Sequence, residues 1–155
     1  MYVSQRSITF DDIFGWEYTV IPPAQFWTLV PKLIYPIYHF FNAPVSASED
    51  DVNSVIRVIK QVAKRRDFVS FKLDIDTPQI EIPIALQIAE DEEVASLIDE
   101  FFYELHFRCE IMMPCAWSWD SSIPESLHGV ALDRHSAMLF FQKMRKRGVR
   151  AHFWP

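Results

Sequence analysis

Val69-Ser70-Phe71-Lys72-Leu73-Asp74-Ile75-Asp76-Thr77-Pro78-Gln79-Ile80-Glu81-Ile82-Pro83-Ile84-Ala85-Leu86-Gln87-Ile88 alternates twice between apolar and polar positions. Val69, Phe71, Leu73 and Ile75 stand on one side, with Ser70, Lys72 and Asp74 on the other. After Asp76-Thr77-Pro78-Gln79 the pattern resumes, with Ile80, Ile82, Ile84, Leu86 and Ile88 against Glu81, Pro83, Ala85 and Gln87. A period of two separated by turn residues predicts a β-hairpin. Pro83 cannot donate to a ladder, so the second strand is expected at a sheet edge or bulged.

Outward from this run, helical periods predominate. Ser48-Glu49-Asp50-Asp51 has the cap and acidic first turn of a helix start. Val52, Val55, Ile56, Ile59, Val62 and Ala63 then lie on one helical face, and Lys64, Arg65 and Arg66 close the last turn. Glu90-Asp91-Glu92-Glu93 opens a second helix with a stripe of Val94, Leu97, Ile98, Phe101, Phe102 and Leu105. Phe107, Cys109, Ile111 and Met113 alternate with His106, Arg108, Glu110 and Met112, which predicts a strand. Residues 114–132 carry turn chemistry and read as a long loop. A helix from about Asp133 to Arg147, with Ala137, Met138, Phe140, Phe141 and Met144 inward, stops at Gly148. Val149, Ala151 and Phe153 read as a closing strand.

Before the first helix, residues 1–20 read as extended pieces, with a strand near Tyr2 to Phe10. Residues 21–45 hold five prolines and six dense aromatics, Phe26, Trp27, Tyr35, Tyr38, Phe40 and Phe41. Short helical turns after Pro22-Pro23 are expected there, either buried as core or presented as a partner surface. The order α-β-β-α-β-loop-α-β predicts an α+β fold: a largely antiparallel sheet of four to five strands with about three helices on one face. At 155 residues the chain reads as a single globular domain, 1–155.

Composition removes several function classes. A net charge of −6 disfavours nucleic-acid binding. Three scattered glycines, Gly15, Gly129 and Gly148, leave no phosphate-cradling loop. A signal peptide and a transmembrane run are not recognised: the most apolar stretch, Tyr18 to Phe41, is broken by Pro22, Pro23, Pro31 and Pro36. Two cysteines are too few for a disulfide framework, so free thiols and a cytoplasmic location are expected.

Five constellations remain. Cys115, with His128 and Asp120 nearby in sequence, has the residue types of a thiol nucleophile, a base and an orienting acid, without a known spacing. Cys109, Cys115, His128 and His135 offer zinc-type donors, but not in the tight pairs of closed sites, so neither metal nor cofactor is expected. The outward sheet face would carry Lys72, Asp74, Glu81, His106, Arg108, Glu110, Arg150 and His152, a surface equally suited to acid/base chemistry and to solvent. Trp117 and Trp119 could anchor a ligand or an interface.

The fifth is charge segregation. From Leu73 to Phe107 there are ten acids and no base, while Lys143 to Arg150 holds five bases and no acid. Glu90, Asp91, Glu92, Asp99 and Glu100, with Trp117 and Trp119, are therefore the expected partner-binding residues, facing a protein with a basic surface. In size, charge and composition the chain looks like the small acidic immunity proteins that bacteria make against their own toxins. The two share no motif, and no residue role is carried over. The expectation is a non-enzymatic protein-binding module that neutralises a toxin or nuclease. The alternatives are a motif-poor hydrolase or transferase using the 114–135 loop, and an oligomeric assembly subunit.

Overall fold

A computed structural model describes residues 9–105 and 134–154. It divides into two compact units, one ending at Ser46 and one beginning at Ala47.

In the first unit, β1 (Ile13–Trp16) pairs in parallel with β2 (Tyr38–Phe41). Between them run α1 (Pro23–Leu29) and a 3-10 helix (Lys32–Ile37). Pro23 begins α1 where a missing N–H is harmless. Phe26, the buried residue of α1, stacks on Phe40 at 3.6 Å between ring centroids. Asn42 stitches the loop after β1: its Nδ2 donates to the carbonyls of Glu17 and Thr19, and its Oδ1 accepts from the Ile21 N–H.

The second unit holds α2 (Val55–Val62), β3 (Ser70–Leu73), α3 (Pro78–Glu90), α4 (Glu92–Ala95), β4 (Glu100–Tyr103), α5 (Arg134–Lys146) and β5 (Arg150–Phe153). Its three strands lie in the order β3-β4-β5 and are parallel throughout. The register aligns Ser70, Glu100 and Arg150 at one end and Leu73, Tyr103 and Phe153 at the other.

This corrects the expected fold. Among the described residues there are two small all-parallel sheets, of two and three strands, and six helices, in place of a largely antiparallel sheet of four to five strands. The run 78–90 is a helix, and it is the crossover that two adjacent parallel strands require. The alternating isoleucines misled because α3 is enveloped. Ile82, Ile84, Ala85, Ile88 and Ala89 are all buried, and a helix buried on most sides has no polar stripe to reveal a period of 3.6. Pro78 occupies the first turn, and Pro83 lies within the helix instead of at a sheet edge.

The expected helix from Glu90 to Leu105 is also divided. Asp91 caps α4, accepting from the N–H groups of Glu93 and Val94, but α4 ends at Ala95 and β4 follows. Phe101 and Leu105 fit a helical stripe and a strand alternation alike, but the buried partner between them is Tyr103 and not Phe102, and β-favouring aromatics on a central strand suit that alternation. The helix expected from Ser48 starts later: Ser54 is the cap, its Oγ accepting from the Arg57 N–H.

The C-terminal elements match their expected positions. Ala137, Phe140, Phe141 and Met144 of α5 are buried, while Met138 faces outward. Gly148 takes φ +94°, a left-handed conformation suited to glycine after a helix. The expected strand over 106–113 and the long loop lie outside the described residues. Of the strand expected near Tyr2 to Phe10, residues 1–8 also lie outside them. Among the described residues, no helix is long and apolar enough to cross a membrane.

Candidate functional site

Parallel strands send all their carboxyl ends to one edge of a sheet, and backbone leaving that edge must turn into a loop. In the second unit those first loop positions are acidic. Asp74 follows Leu73 at the end of β3, Asp76 comes two residues later, and Glu104 follows Tyr103 at the end of β4. The aligned ends of the two neighbouring strands bring the acids together. One carboxylate oxygen from each of Asp74, Asp76 and Glu104 lies within 4.8 Å of the other two. The Glu104 N–H donates to the Leu73 carbonyl at 3.1 Å, which fixes the spacing. Asp76 takes φ +53°, a left-handed conformation that aspartate tolerates better than most side chains.

Glu81, on the first turn of α3, is tied to the turn that carries Asp74 and Asp76. It is 1% exposed. Its Oε1 accepts from the Ile75 N–H at 2.8 Å, the peptide between Asp74 and Asp76, while its Oε2 has no hydrogen-bond partner among the described residues. Burial pushes the Glu81 carboxyl up to about 7; the Ile75 N–H opposes this, and the charges of Asp76, Asp74 and Glu104 reinforce it. Burial, helped by the Glu81 charge, also raises the Tyr103 hydroxyl well above its ordinary value.

Glu104 is pushed up to about 7 by a different cause. It shares a hydrogen bond with Asp74, with partial burial and the charges of Asp74 and Asp76 adding to the effect and Lys72 opposing it. Lys72 on β3 reaches the cluster, its Nζ 2.5 Å from Asp74 Oδ2. The same ammonium stands 4.8 Å from the centre of the Trp154 ring, a favourable cation–π geometry. The edge therefore combines four carboxyls, one ammonium and an exposed aromatic face.

Such an arrangement can do two things. A carboxyl pair with one proton between its members can give and take a proton near neutral pH. A set of hard oxygen donors can also hold a divalent cation.

The expected partner-binding acids are placed differently. Glu90 meets Lys143 at 3.3 Å, Glu92 meets Arg147 at 3.4 Å, and Glu100 meets Arg150 at 3.1 Å. Asp91 meets Lys60 at 3.0 Å, and Asp99 Oδ2 accepts from the Val69 N–H. The acidic and basic blocks, far apart in sequence, thus face each other in the fold. Reversing the charge of Glu90, Asp91, Glu92 or Glu100 would break an intrachain pair before it met any partner.

Cys109, Cys115, Asp120, His128, Trp117 and Trp119 lie outside the described residues, as do His106, Arg108 and Glu110. His135 is exposed at the start of α5. Of the expected polar sheet face, Lys72, Arg150 and His152 share one side of the sheet: Arg150 pairs with Glu100, and His152 stacks on Phe102. Glu81 is instead on α3. From the sequence, Asp76 stands out only as a turn residue and one of the ten acids, and Glu104 only as one of those acids. The missed signal was an Asp-x-Asp just after one strand-like run, matched by a Glu just after a second; it acquires meaning only when the strands are parallel.

Comparison with protein-family models, with curated proteins and with solved structures gives no match.

Proposed function

We propose that the chain is a small-molecule-handling domain of hydrolase or transferase type, with its working site at the carboxyl edge of β3 and β4. One observation carries this reading: the carboxyl oxygens of Asp74, Asp76 and Glu104 converge within 4.8 Å just beyond two adjacent parallel strands. Open parallel sheets bind ligands outside their strands' carboxyl ends. Lys72 adds a charge that can orient an anionic group, and Trp154 a face on which a ring can stack. The site differs from the 114–135 loop expected to carry such chemistry.

The test is thermal melting against a panel of phosphorylated sugars, nucleotides and small carboxylic acids, each with magnesium and with chelator. A stabilising shift from one panel member, lost in Asp74→Asn and Glu104→Gln but kept in Glu92→Gln, supports the reading. No shift from any member, or a shift indifferent to both substitutions, overturns it.

A second reading, docking to another protein, draws on the first unit. Tyr18, Val20, Leu29 and Leu33 are 79, 84, 71 and 84% exposed, and exposed apolar residues that gather into a patch mark interaction sites. It keeps the expectation of a protein partner and of assembly, and moves the contact away from the 90–100 acids. Light scattering over a wide concentration range tests self-assembly: mass that rises with concentration, and falls back in Leu29→Ser with Leu33→Ser, supports it, and a constant monomer mass overturns it.

A further inference from the structure

We propose that two copies of this chain join edge to edge through β3, each pairing the strand antiparallel with the other's about a twofold axis at Phe71. The surface differs from the carboxyl edge and from the apolar residues of the first unit.

The two outer strands of the three-stranded sheet differ in what they leave unpaired. Along a strand, successive residues turn their N–H and C=O groups to opposite sides. The Arg150 N–H donates to the Asp99 carbonyl and the Trp154 N–H to the Tyr103 carbonyl, so Ala151 faces away from β4. Both of its backbone groups are satisfied within the chain. Its N–H donates to the Val149 carbonyl at 2.9 Å, and the Arg145 guanidinium donates twice to its carbonyl, at 3.1 and 2.7 Å. On the other side, the Glu100 N–H donates to the Val69 carbonyl and the Glu104 N–H to the Leu73 carbonyl, so Ser70 and Lys72 face away from β4. Among the described residues β3 has no second neighbouring strand, and Ser70 and Lys72 are both exposed. An open strand edge is a template for another strand. The β5 edge is closed to that role at Ala151, and the β3 edge is not.

Charge and shape select a second copy as the occupant. Lys64, Arg65 and Arg66 come just before β3, and Asp74 and Asp76 just after it. The Arg66 side chain is 81% exposed, with Asp67 only at 3.9 Å. An antiparallel copy sets the basic end of each strand beside the acidic end of the other, twice by symmetry. A parallel copy would set like charge on like. With the axis at Phe71, Ser70 of each copy stands opposite Lys72 of the other, and the two phenylalanines form a cross-strand aromatic pair. Phe71 is half-buried and stacks on Phe101 at 5.6 Å between ring centroids, which leaves ring surface for the second Phe71 to cover. A lysine on an open edge ordinarily discourages pairing. Here the Lys72 ammonium is drawn to Asp74 Oδ2 at 2.5 Å and to the Trp154 ring at 4.8 Å, which weakens that guard.

The joint is short, so the dimer is weak and depends on concentration. The experiment follows the full chain from micromolar to millimolar concentration by light scattering and by residue-resolved amide hydrogen exchange. The mass should rise from one chain towards two. Exchange at Ser70 and Lys72 should slow on the order of tenfold as the dimer fills, while Ala151 stays unchanged. Ser70→Pro deletes an outward N–H where an edge strand tolerates proline. It should weaken dimerisation on the order of tenfold or more, since symmetry removes two hydrogen bonds at once. Arg66→Glu spares the ladder to β4 and reads the same edge through charge, so it should weaken the dimer even if Ser70→Pro disturbs the strand. Leu29→Ser with Leu33→Ser should leave this dimer intact. A mass that stays monomeric to millimolar concentration overturns the proposal. So does a dimer that leaves exchange at Ser70 and Lys72 unaltered, or one that keeps full strength in Ser70→Pro or in Arg66→Glu. A dimer lost only in Leu29→Ser with Leu33→Ser belongs to the first unit and overturns it equally.

Discussion

Replacing Glu81 by Gln should stabilise the protein above neutral pH and leave it nearly unchanged in mild acid. The Glu81 carboxyl rises from its ordinary 4.5 to about 7 on folding, chiefly because burial opposes its charge. The folded state therefore binds this proton more tightly than the unfolded state does. Below pH 4.5 the group is protonated in both states and carries no penalty. As pH rises through 4.5 the unfolded chain ionises first, and wild-type stability falls until the folded carboxyl ionises near 7. At about 1.4 kcal/mol for each tenfold change in proton affinity, the full penalty is about 3 kcal/mol. Glutamine keeps an oxygen to accept from the Ile75 N–H and has no charge to bury. The assay is urea unfolding in chelator at pH 4.5, 6, 7 and 8.5, read as the difference between variant and wild type. That difference should grow from near zero to about 3 kcal/mol and then level off. A constant difference across the series, of either sign, would refute the reasoning, because a packing change alone has no reason to follow this pH window.

Other perturbations follow from the same geometry. Ser54→Ala removes the cap that accepts from the Arg57 N–H and should lower unfolding free energy by about 1 kcal/mol, read by urea denaturation. Phe101→Ala empties the middle of the central strand, where the residue is fully buried, and should cost about 3–5 kcal/mol by the same measurement. Lys60 holds the Asp91 carboxyl below its usual range, aided by the Glu93 N–H and against partial burial. Because that folded pKa is depressed, the stabilisation is present at neutral pH and lost as pH falls through it, so Asp91→Asn and wild type should converge in acid melts. A β-carbon at Gly15 would sit 2.6 Å from the Tyr38 hydroxyl oxygen. Gly15→Ala should therefore lower the melting temperature, and adding Tyr38→Phe should recover part of the loss.

What could be read from the sequence was whatever depended on local signals. The last helix and its glycine stop, the closing strand, the strand over Ser70–Leu73 and the helical turn after Pro22-Pro23 each carry their own markers. Residues 78–90 failed because burial, not periodicity, selected their structure: enveloped isoleucines satisfy a helix and a strand pattern alike. That error hid the site as well. With an antiparallel hairpin, Asp74 and Asp76 sit at a solvent turn and Glu104 belongs to a helix; with a right-angled view of parallel strands, all three emerge at the same edge. The pairing of Glu90 with Lys143 and Glu92 with Arg147 was equally hidden, since opposite blocks in a sequence say nothing of whether they will meet.

The strand order β3-β4-β5 also imposes a timetable. β4 is the middle strand, yet its second neighbour follows it by about fifty residues, as the pairing of Glu100 with Arg150 records. During synthesis β4 must therefore wait with one edge open, displaying Phe101 and Phe102 to whatever else is in reach. A ribosome adding about 5–20 residues per second leaves that edge bare for seconds. Such an interval invites edge-to-edge association between nascent chains. The burden of yield then falls on β5: Ala151 and His152 pair with Phe101 and Phe102 and close that edge, so slow translation or termination before Arg150 should raise the aggregated fraction.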